Sequence, residues 1–119
     1  MKLTDSEWAV LEVLWSGRSF SLGEIVKDLK PVKKWSKTTV YTYLTRMEAK
    51  GLVSINHEDS RPYSAAVSRE NCARQEREEL LNKVYDGAAG DLIAAFLRDS
   101  SISQKEIRRL RKILDDMEV

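Results

Sequence analysis

The sequence predicts a mainly α-helical fold with one small β-hairpin, followed by a tail that is helical throughout. Segments 4–7, 21–24 and 103–106 each place Ser or Thr three residues before Glu, the spacing of a capping box at a helix start. Two short runs of strand-forming residues flank the polar turn 57–62, as in a hairpin. Beyond residue 68 the apolar residues recur only at helical spacing, so no further strand is expected.

The first two helices are predicted to be short and amphipathic. The first begins at Thr4 and ends at Gly17, because glycine commonly follows the last turn of a helix. The second begins at Ser21 and stops before Pro31, since proline cannot continue a helix without the loss of a backbone hydrogen bond. Both segments repeat apolar residues at the spacing of one buried face, so both contribute to a small core.

A third helix and the hairpin complete the first predicted domain. Ser36 precedes a helix that runs from about residue 37 to residue 50, where Gly51 ends it. The runs 52–56 and 63–67 then predict the two strands. Three helices followed by a hairpin is the order of a winged helix-turn-helix domain.

The winged helix-turn-helix domain is therefore assigned to residues 1–67, and residues 68–119 are expected to form a three-helix dimerisation region. Tail helices are predicted at 69–85, at 88–98 and from Ser103 onward. Three helices of this length cannot enclose all of their own apolar side chains, so the tail predicts a homodimer. The predicted dimer contacts are Leu80, Leu81, Val84, Phe96, Leu97, Ile107, Leu110, Ile113, Leu114 and Met117.

Composition excludes several classes of protein. The first residues are polar and no stretch approaches about 18 apolar residues, so neither a signal peptide nor a membrane span is expected. One cysteine, Cys72, and one histidine, His57, leave no predicted metal cluster or catalytic triad, and there is no glycine-rich phosphate loop. We therefore expect a cytoplasmic protein that is not an enzyme and that binds no metal, cofactor or membrane.

The third helix carries the residues that predict a function. Its inner stripe includes Val40 and Leu44, whereas the opposite face presents threonines and almost no acid. Short hydroxyl-bearing side chains suit a helix that lies in the DNA major groove. Residues 27–50 hold seven basic residues against two acidic ones, a local excess that suits phosphate. The predicted DNA contacts are Lys33, Lys34, Ser36, Lys37, Thr38, Thr39, Tyr41, Thr42, Thr45 and Arg46, together with Arg61 in the hairpin turn.

Two segments resemble a known family. Residues 35–47, Trp-Ser-Lys-Thr-Thr-Val-Tyr-Thr-Tyr-Leu-Thr-Arg-Met, followed by Lys50-Gly51, closely resemble the recognition segment of the BlaI/MecI/CopY family of penicillinase and related repressors. Residues 3–8, Leu-Thr-Asp-Ser-Glu-Trp, look like the first helix of that family. The resemblance implies a homodimeric winged-helix repressor that binds double-stranded operator DNA with dyad symmetry.

The resemblance also implies how repression ends. In the penicillinase branch, a regulatory protease cuts the repressor within its dimerisation region, usually at an Asn-Phe bond; the matching pair here is Ala95-Phe96. In the copper branch, C-terminal cysteine pairs bind metal, and this chain has only Cys72.

Two alternatives to this function remain open at this stage. A winged helix can serve as a protein-interaction module without touching DNA, although the hydroxyl-rich face of the third helix disfavours that reading. A repressor can also be released by a small-molecule inducer held between tail helices, for which the tail offers few aromatic residues.

Overall fold

The structure is a computed structural model that describes residues 2–99 and 101–117. The described residues form six helices and one antiparallel pair of strands, which confirms the predicted winged helix-turn-helix architecture with a helical tail. In chain order the elements are α1 (Asp5–Trp15), α2 (Leu22–Leu29), α3 (Lys37–Ala49), β1 (Val53–Ile55), β2 (Tyr63–Ala65), α4 (Arg69–Tyr85), α5 (Ala89–Asp99) and α6 (Gln104–Asp116). The chain divides into two compact units, residues 1–76 and 77–119.

The predicted capping boxes open the first two helices. Thr4 accepts a hydrogen bond from the Glu7 N–H (3.1 Å), and the Glu7 carboxylate accepts one from the Thr4 N–H (2.9 Å). Ser21 and Glu24 form the same reciprocal pair at the start of α2. Each box satisfies two backbone donors that the first turn of a helix leaves free. Helix α1 ends at its C-cap Ser16, one residue before the glycine that the sequence indicated.

Helix α3 begins and ends as the sequence predicted. Ser36 is the N-cap, and its hydroxyl accepts a hydrogen bond from the Thr39 N–H (3.2 Å). Gly51 has a φ of 78°, a left-handed conformation that glycine adopts without strain. The Gly51 N–H donates to the Glu48 carbonyl and the Leu52 N–H to the Met47 carbonyl, both at 2.9 Å. These bonds satisfy carbonyls of the last turn and direct the chain into β1.

The strands of the hairpin are shorter than predicted, but the hairpin also pairs with a residue outside it. Three residue pairs form it, from Val53 opposite Ala65 to Ile55 opposite Tyr63. Tyr63 also pairs on its other side with Phe20: the Phe20 N–H donates to the Tyr63 carbonyl (2.8 Å) and the Tyr63 N–H returns a bond to Phe20 (3.0 Å). The segment between α1 and α2 therefore lies beside the hairpin as a third, single-residue strand.

The buried core lies in the first unit and takes side chains from α1, α2, α3 and the hairpin. The indole N–H of Trp15 donates to the Val67 carbonyl (2.9 Å), which ties the end of β2 to α1. Cys72, at the start of α4, is also buried. The core residues are Val10, Leu11, Leu14, Ile25, Leu29, Val40, Leu44, Met47, Leu52, Val53 and Tyr63.

The second unit has no comparable core among its described residues. Helices α5 and α6 contain no buried side chain, and the one buried residue of α4, Cys72, belongs to the first unit. Ser103 caps α6 by accepting a bond from the Glu106 N–H (3.1 Å), but Glu106 directs a carboxylate oxygen toward Arg109 (3.8 Å) instead of back to Ser103. The third predicted capping box is therefore only half formed.

Candidate nucleic-acid interface

Helix α3 separates a fully buried face from an exposed one. Val40, Leu44 and Met47 are each 0% exposed, so the inner face of the helix is fixed against the core. The outer face presents Thr38, Thr45 and Arg46 as exposed residues and Thr42 as half-buried, while Tyr41 beside them is 53% exposed. The residues that the sequence assigned to DNA reading on this helix therefore share one accessible surface, which we call the outer face of α3.

Two of the three threonine hydroxyls of the outer face already have partners within the helix. The Thr42 hydroxyl donates to the Thr38 carbonyl and the Thr45 hydroxyl donates to the Tyr41 carbonyl, each at 3.0 Å. A hydroxyl bonded in this way has used its one proton but keeps its capacity to accept. The outer face therefore offers methyl groups and hydrogen-bond acceptors, a chemistry that suits thymine methyl groups and base amino groups.

The N-terminus of α3 combines a cap with positive charge. The Ser36 hydroxyl donates to the Thr39 hydroxyl (3.2 Å) while it accepts from the Thr39 N–H, so these two predicted contacts form the cap itself. The first turn contains no acidic residue. Lys34 and Lys37 are exposed beside it, and Lys33 is half-buried. The free backbone N–H groups of a helix start and nearby ammonium groups both attract phosphate.

An aromatic stack holds the turn that leads into α3. The rings of Trp35 and Tyr43 are stacked with centroids 4.5 Å apart and an interplanar angle of 5°. The ammonium of Lys33 lies 5.7 Å from the centre of the Trp35 ring, within the range of a cation–π contact. The stack therefore orders a basic turn against the helix. Sequence reasoning missed it, although an aromatic residue just before the helix and another two turns into it could have indicated the contact.

The hairpin turn presents one predicted contact that already has a partner. A guanidinium nitrogen of Arg61 lies 3.1 Å from a carboxylate oxygen of Glu24 in α2, and both side chains are partly exposed. The backbone bond from Ser21 lowers the pKa of Glu24 most, burial opposes it, and the charge of Arg61 lowers the pKa further, so that the net shift is downward. His57 is exposed in the same turn.

An ion pair with a buried carboxylate, also missed from the sequence, joins the start of α1 to the end of α3, where the Lys50 side chain is 47% exposed. Glu7 in α1 is 4% exposed, and its second carboxylate oxygen lies 2.6 Å from the ammonium of Lys50, the C-cap of α3. Burial raises the pKa of Glu7, but the hydrogen bonds from Lys50 and Thr4 and the positive charge of Lys50 lower it by more, so the net shift is downward. The carboxylate is therefore held in its charged form.

The tail leaves many of its apolar side chains exposed. Val84, Phe96, Leu97, Leu114 and Met117 are between 50% and 67% exposed, and Leu80 and Ile113 are each 46% exposed. Leu81, Ile107 and Leu110 are half-buried. The structure thus leaves the predicted dimer contacts accessible or partly accessible in a single chain.

In residues 2–99 and 101–117, no three His, Cys, Asp or Glu side chains are grouped so that they could hold a metal ion. Nor does this part of the chain contain a helix with the length and apolar content to cross a bilayer. Burial, and to a lesser extent the charge of Glu76, raises the pKa of the Cys72 thiol.

Known proteins resemble this chain along nearly its whole length. The family described as penicillinase repressor matches residues 3–116. The penicillinase repressor of Staphylococcus aureus is 29% identical over 118 residues, which covers 98% of this chain and 94% of the relative. The methicillin resistance regulatory protein MecI of Staphylococcus aureus strain N315 is 28% identical and covers 96% of this chain and 94% of its own. A solution structure of monomeric Bacillus licheniformis BlaI with the blaP half-operator is 28% identical, with a TM-score of 0.49 over 60% of this chain and 88% of that one.

Proposed function

The chain belongs to the penicillinase repressor family, and we propose that it represses transcription as a homodimer whose two α3 helices read a dyad-symmetric operator. The observation that carries the proposal is the outer face of α3, which is exposed, short in its side chains and nearly free of acid while the inner face is fully buried. A repressor of this kind acts on chromosomal or plasmid DNA, so the proposal places it in the cytoplasm.

The two kinds of predicted contact have different tasks in this proposal. Lys34, Lys37 and the backbone N–H groups at the start of α3 bind phosphate, which sets where the protein lies on the duplex. Thr42 and Thr45 meet base edges in the major groove, where each base pair presents a distinct pattern of groups. Phosphate contacts then supply most of the affinity, and the threonines supply part of the specificity.

The homodimer is supported by the apolar surface of the tail. Side chains such as Phe96, Leu114 and Met117 are more than half exposed, and soluble monomers rarely leave a contiguous apolar patch of this kind open to water. A two-fold partner buries the same patch on both chains. It also brings two α3 helices to the separation of one DNA turn, about 34 Å, that a symmetric operator requires.

The proposal is tested by the salt dependence of specific binding. Sites are selected from random duplexes, and the affinity of the full chain for the selected duplex is compared with its affinity for a scrambled duplex. With about eight phosphate contacts per dimer, the affinity should fall by about 10³ to 10⁵ between about 50 and 200 mM salt. The exposed Lys83 of α4 serves as the control: Lys83→Ala should leave the curve unchanged. A flat curve, or equal affinity for both duplexes, would favour a protein-interaction module instead.

Release of repression by proteolysis is the regulatory part of the proposal. The Ala95-Phe96 bond lies inside α5, with Ala95 half-buried and Phe96 55% exposed. A protease needs extended backbone, so a cut here requires that α5 first open locally. The cut would remove α6 from the chain, and with it Leu114 and Met117, which weakens the proposed dimer.

Intact mass measurement tests the cleavage. Producing cells are treated with a cell-wall antibiotic, and untreated cells are the control. A fragment that ends at Ala95 is the expected product. If the protein stays intact while its target genes are derepressed, another signal releases it; an inducer in the apolar cavity of about 470 Å³ between α5 and α6 is then the next hypothesis.

A further inference from the structure

The Glu7–Lys50 ion pair differs from the Glu24–Arg61 and Glu12–Arg69 pairs of the first unit in the burial of its carboxylate, while the Lys50 side chain is 47% exposed. Glu7 is the one buried side chain that carries a charge among the described residues. Both of its oxygens are used: one accepts from the Thr4 N–H at 2.9 Å, and the other lies 2.6 Å from the Lys50 ammonium. The Glu24–Arg61 and Glu12–Arg69 pairs, in contrast, join side chains that are all at least 39% exposed.

A buried charge is a poor way to gain stability. Removing a carboxylate from water has a large cost, and an apolar side chain of similar volume would commonly stabilise such a site as well or better. What a charged pair adds is direction, because the ammonium must lie at one place relative to the carboxylate. Such a pair is therefore suited to an element whose position matters more than its stability.

Lys50 is the C-cap of α3, and its own N–H donates to the carbonyl of Arg46 on the outer face. Packing of Val40, Leu44 and Met47 decides which face of α3 is buried, but apolar contact is not directional and by itself sets the angle of the helix less strictly than its face. A pivot of about 10° around the N-terminal end would move Thr45 by about 2 Å, more than a base contact tolerates. The Trp35–Tyr43 stack holds the N-terminal end of α3, and the bond between Lys50 and Glu7 holds its C-terminal end.

We infer that Glu7 is a positioning residue for DNA reading: through Lys50 it fixes the C-terminal end of α3, so that the outer face of the helix meets the bases in one register. The inference rests on the proposed function. Glu7 lies on α1 and touches no DNA. It therefore controls the ratio of specific to non-specific affinity, while phosphate binding by the lysines is independent of it.

Four variants of the full chain, of which Lys50→Arg restores the positive charge, and one control separate positioning from stability. Glu7→Gln removes the charge and keeps the oxygen that accepts from Thr4. Lys50→Met leaves Glu7 without its partner, and the double variant removes both charges, so that stability recovers. The control is Glu12→Gln, which breaks an ion pair from the same helix to Arg69, remote from α3. Each variant is compared with wild type by circular-dichroism melting and by binding to the selected and scrambled duplexes, at a temperature where it is folded.

The expected result is a loss of discrimination without a loss of phosphate binding. Glu7→Gln should weaken binding to the selected duplex by about tenfold, comparable to one mismatched base pair, and change binding to the scrambled duplex by less than about twofold. The double variant should melt near wild type yet stay unspecific, and Lys50→Arg should restore specificity. Glu12→Gln should bind as wild type does. If Glu7→Gln fails to fold, the double variant carries the test alone.

Three results would overturn the inference. The first is an unchanged specificity ratio in Glu7→Gln or in the double variant. The second is recovery of specificity together with stability in the double variant, which would make the pair merely structural. The third is a combined result: Glu7→Gln binds every duplex more tightly, and the binding of Lys50→Met depends less on salt. Together these would show that Lys50 is a phosphate ligand. Failure of the proposed function looks different, because wild type would then show no preference between the two duplexes.

Discussion

Substitutions at Thr45 test what the outer face of α3 presents to DNA. The Thr45 hydroxyl donates to the Tyr41 carbonyl at 3.0 Å, so the proton that it could offer to a base is already in use. Valine keeps a methyl group at the same position and lacks only the hydroxyl. Serine keeps the hydroxyl and lacks the methyl group, and alanine lacks both. The three variants therefore separate the contributions of the two groups.

The expected magnitudes follow from the methyl group. A buried methylene-sized group contributes about 0.8 kcal/mol, so Thr45→Ser should weaken specific binding about fourfold per half-site, and about fifteenfold for the dimer, if the methyl group meets a thymine methyl. Thr45→Ala should weaken it similarly, because the hydroxyl that it also loses is bound within the helix. Thr45→Val should stay within about twofold of wild type, since β-branched residues cost a helix little. Binding to a scrambled duplex should be the same for all three.

Deoxyuridine provides the assay, because it lacks only the methyl group of thymine. Each thymine of the selected site is replaced in turn, and competition binding is measured for wild type and the three variants. One replacement should weaken wild type and Thr45→Val but leave Thr45→Ser unaffected. If Thr45→Val loses as much affinity as Thr45→Ala, and no deoxyuridine position depends on the variant, the hydroxyl and not the methyl group meets the DNA.

Four further measurements address the rest of the molecule. Lys37→Ala should weaken binding to selected and scrambled duplexes alike and lower the log–log salt slope by about one per protomer, or about two for the dimer; a loss confined to the selected duplex would assign Lys37 to base reading. A fragment of residues 1–76 and the full chain with Leu110→Asp should both sediment as monomers, because a charge in the proposed seam lacks a partner; a dimeric fragment would contradict the assignment. The pKa of Glu7 lies below its ordinary value of 4.5, so its contribution to the free energy of unfolding is fully present above pH 4.5 and is lost as the pH falls through the folded-state pKa. The free energies of unfolding of wild type and Glu7→Gln, measured in urea, should therefore converge as the pH falls. A difference that stays constant with pH would refute this. Cys72 is buried with a raised pKa, so a thiol reagent should label it far more slowly in the native chain than in urea, and equal rates would show that its site opens freely.

Local features of the sequence predicted the elements of the fold well. Capping residues such as Ser21 and Ser36 and the stop at Gly51 act within one turn of a helix, so the residues that define each boundary are neighbours in the chain. The same holds for the outer face of α3, which follows from helical periodicity alone. The strand ends were less well predicted because pairing depends on the partner strand, and only 53–55 and 63–65 pair regularly.

Contacts between distant residues account for what sequence reasoning missed. Glu7 was identified only as half of a capping box, although its second oxygen binds Lys50, 43 residues away. Phe20 gave no strand signal, since a single residue that pairs with Tyr63 has no periodicity to detect. The local role of Glu7 was predicted correctly, and the long-range role of both residues required the folded chain.

Arg61 shows how a predicted contact and an observed one can both hold. In the free protein a carboxylate oxygen of Glu24 lies 3.1 Å from the guanidinium of Arg61, and both side chains are partly exposed. Ion pairs that are exposed to water contribute little to stability. A DNA phosphate offers the same guanidinium a bidentate, charge-assisted partner at an interface from which much of the water is excluded. Since Glu24 lies at the start of α2 in the capping box with Ser21, it keeps its backbone bonds when the arginine leaves. Glu24 therefore holds the hairpin turn close to α2 in the free protein without competing strongly against phosphate, and Arg61 remains a predicted DNA contact.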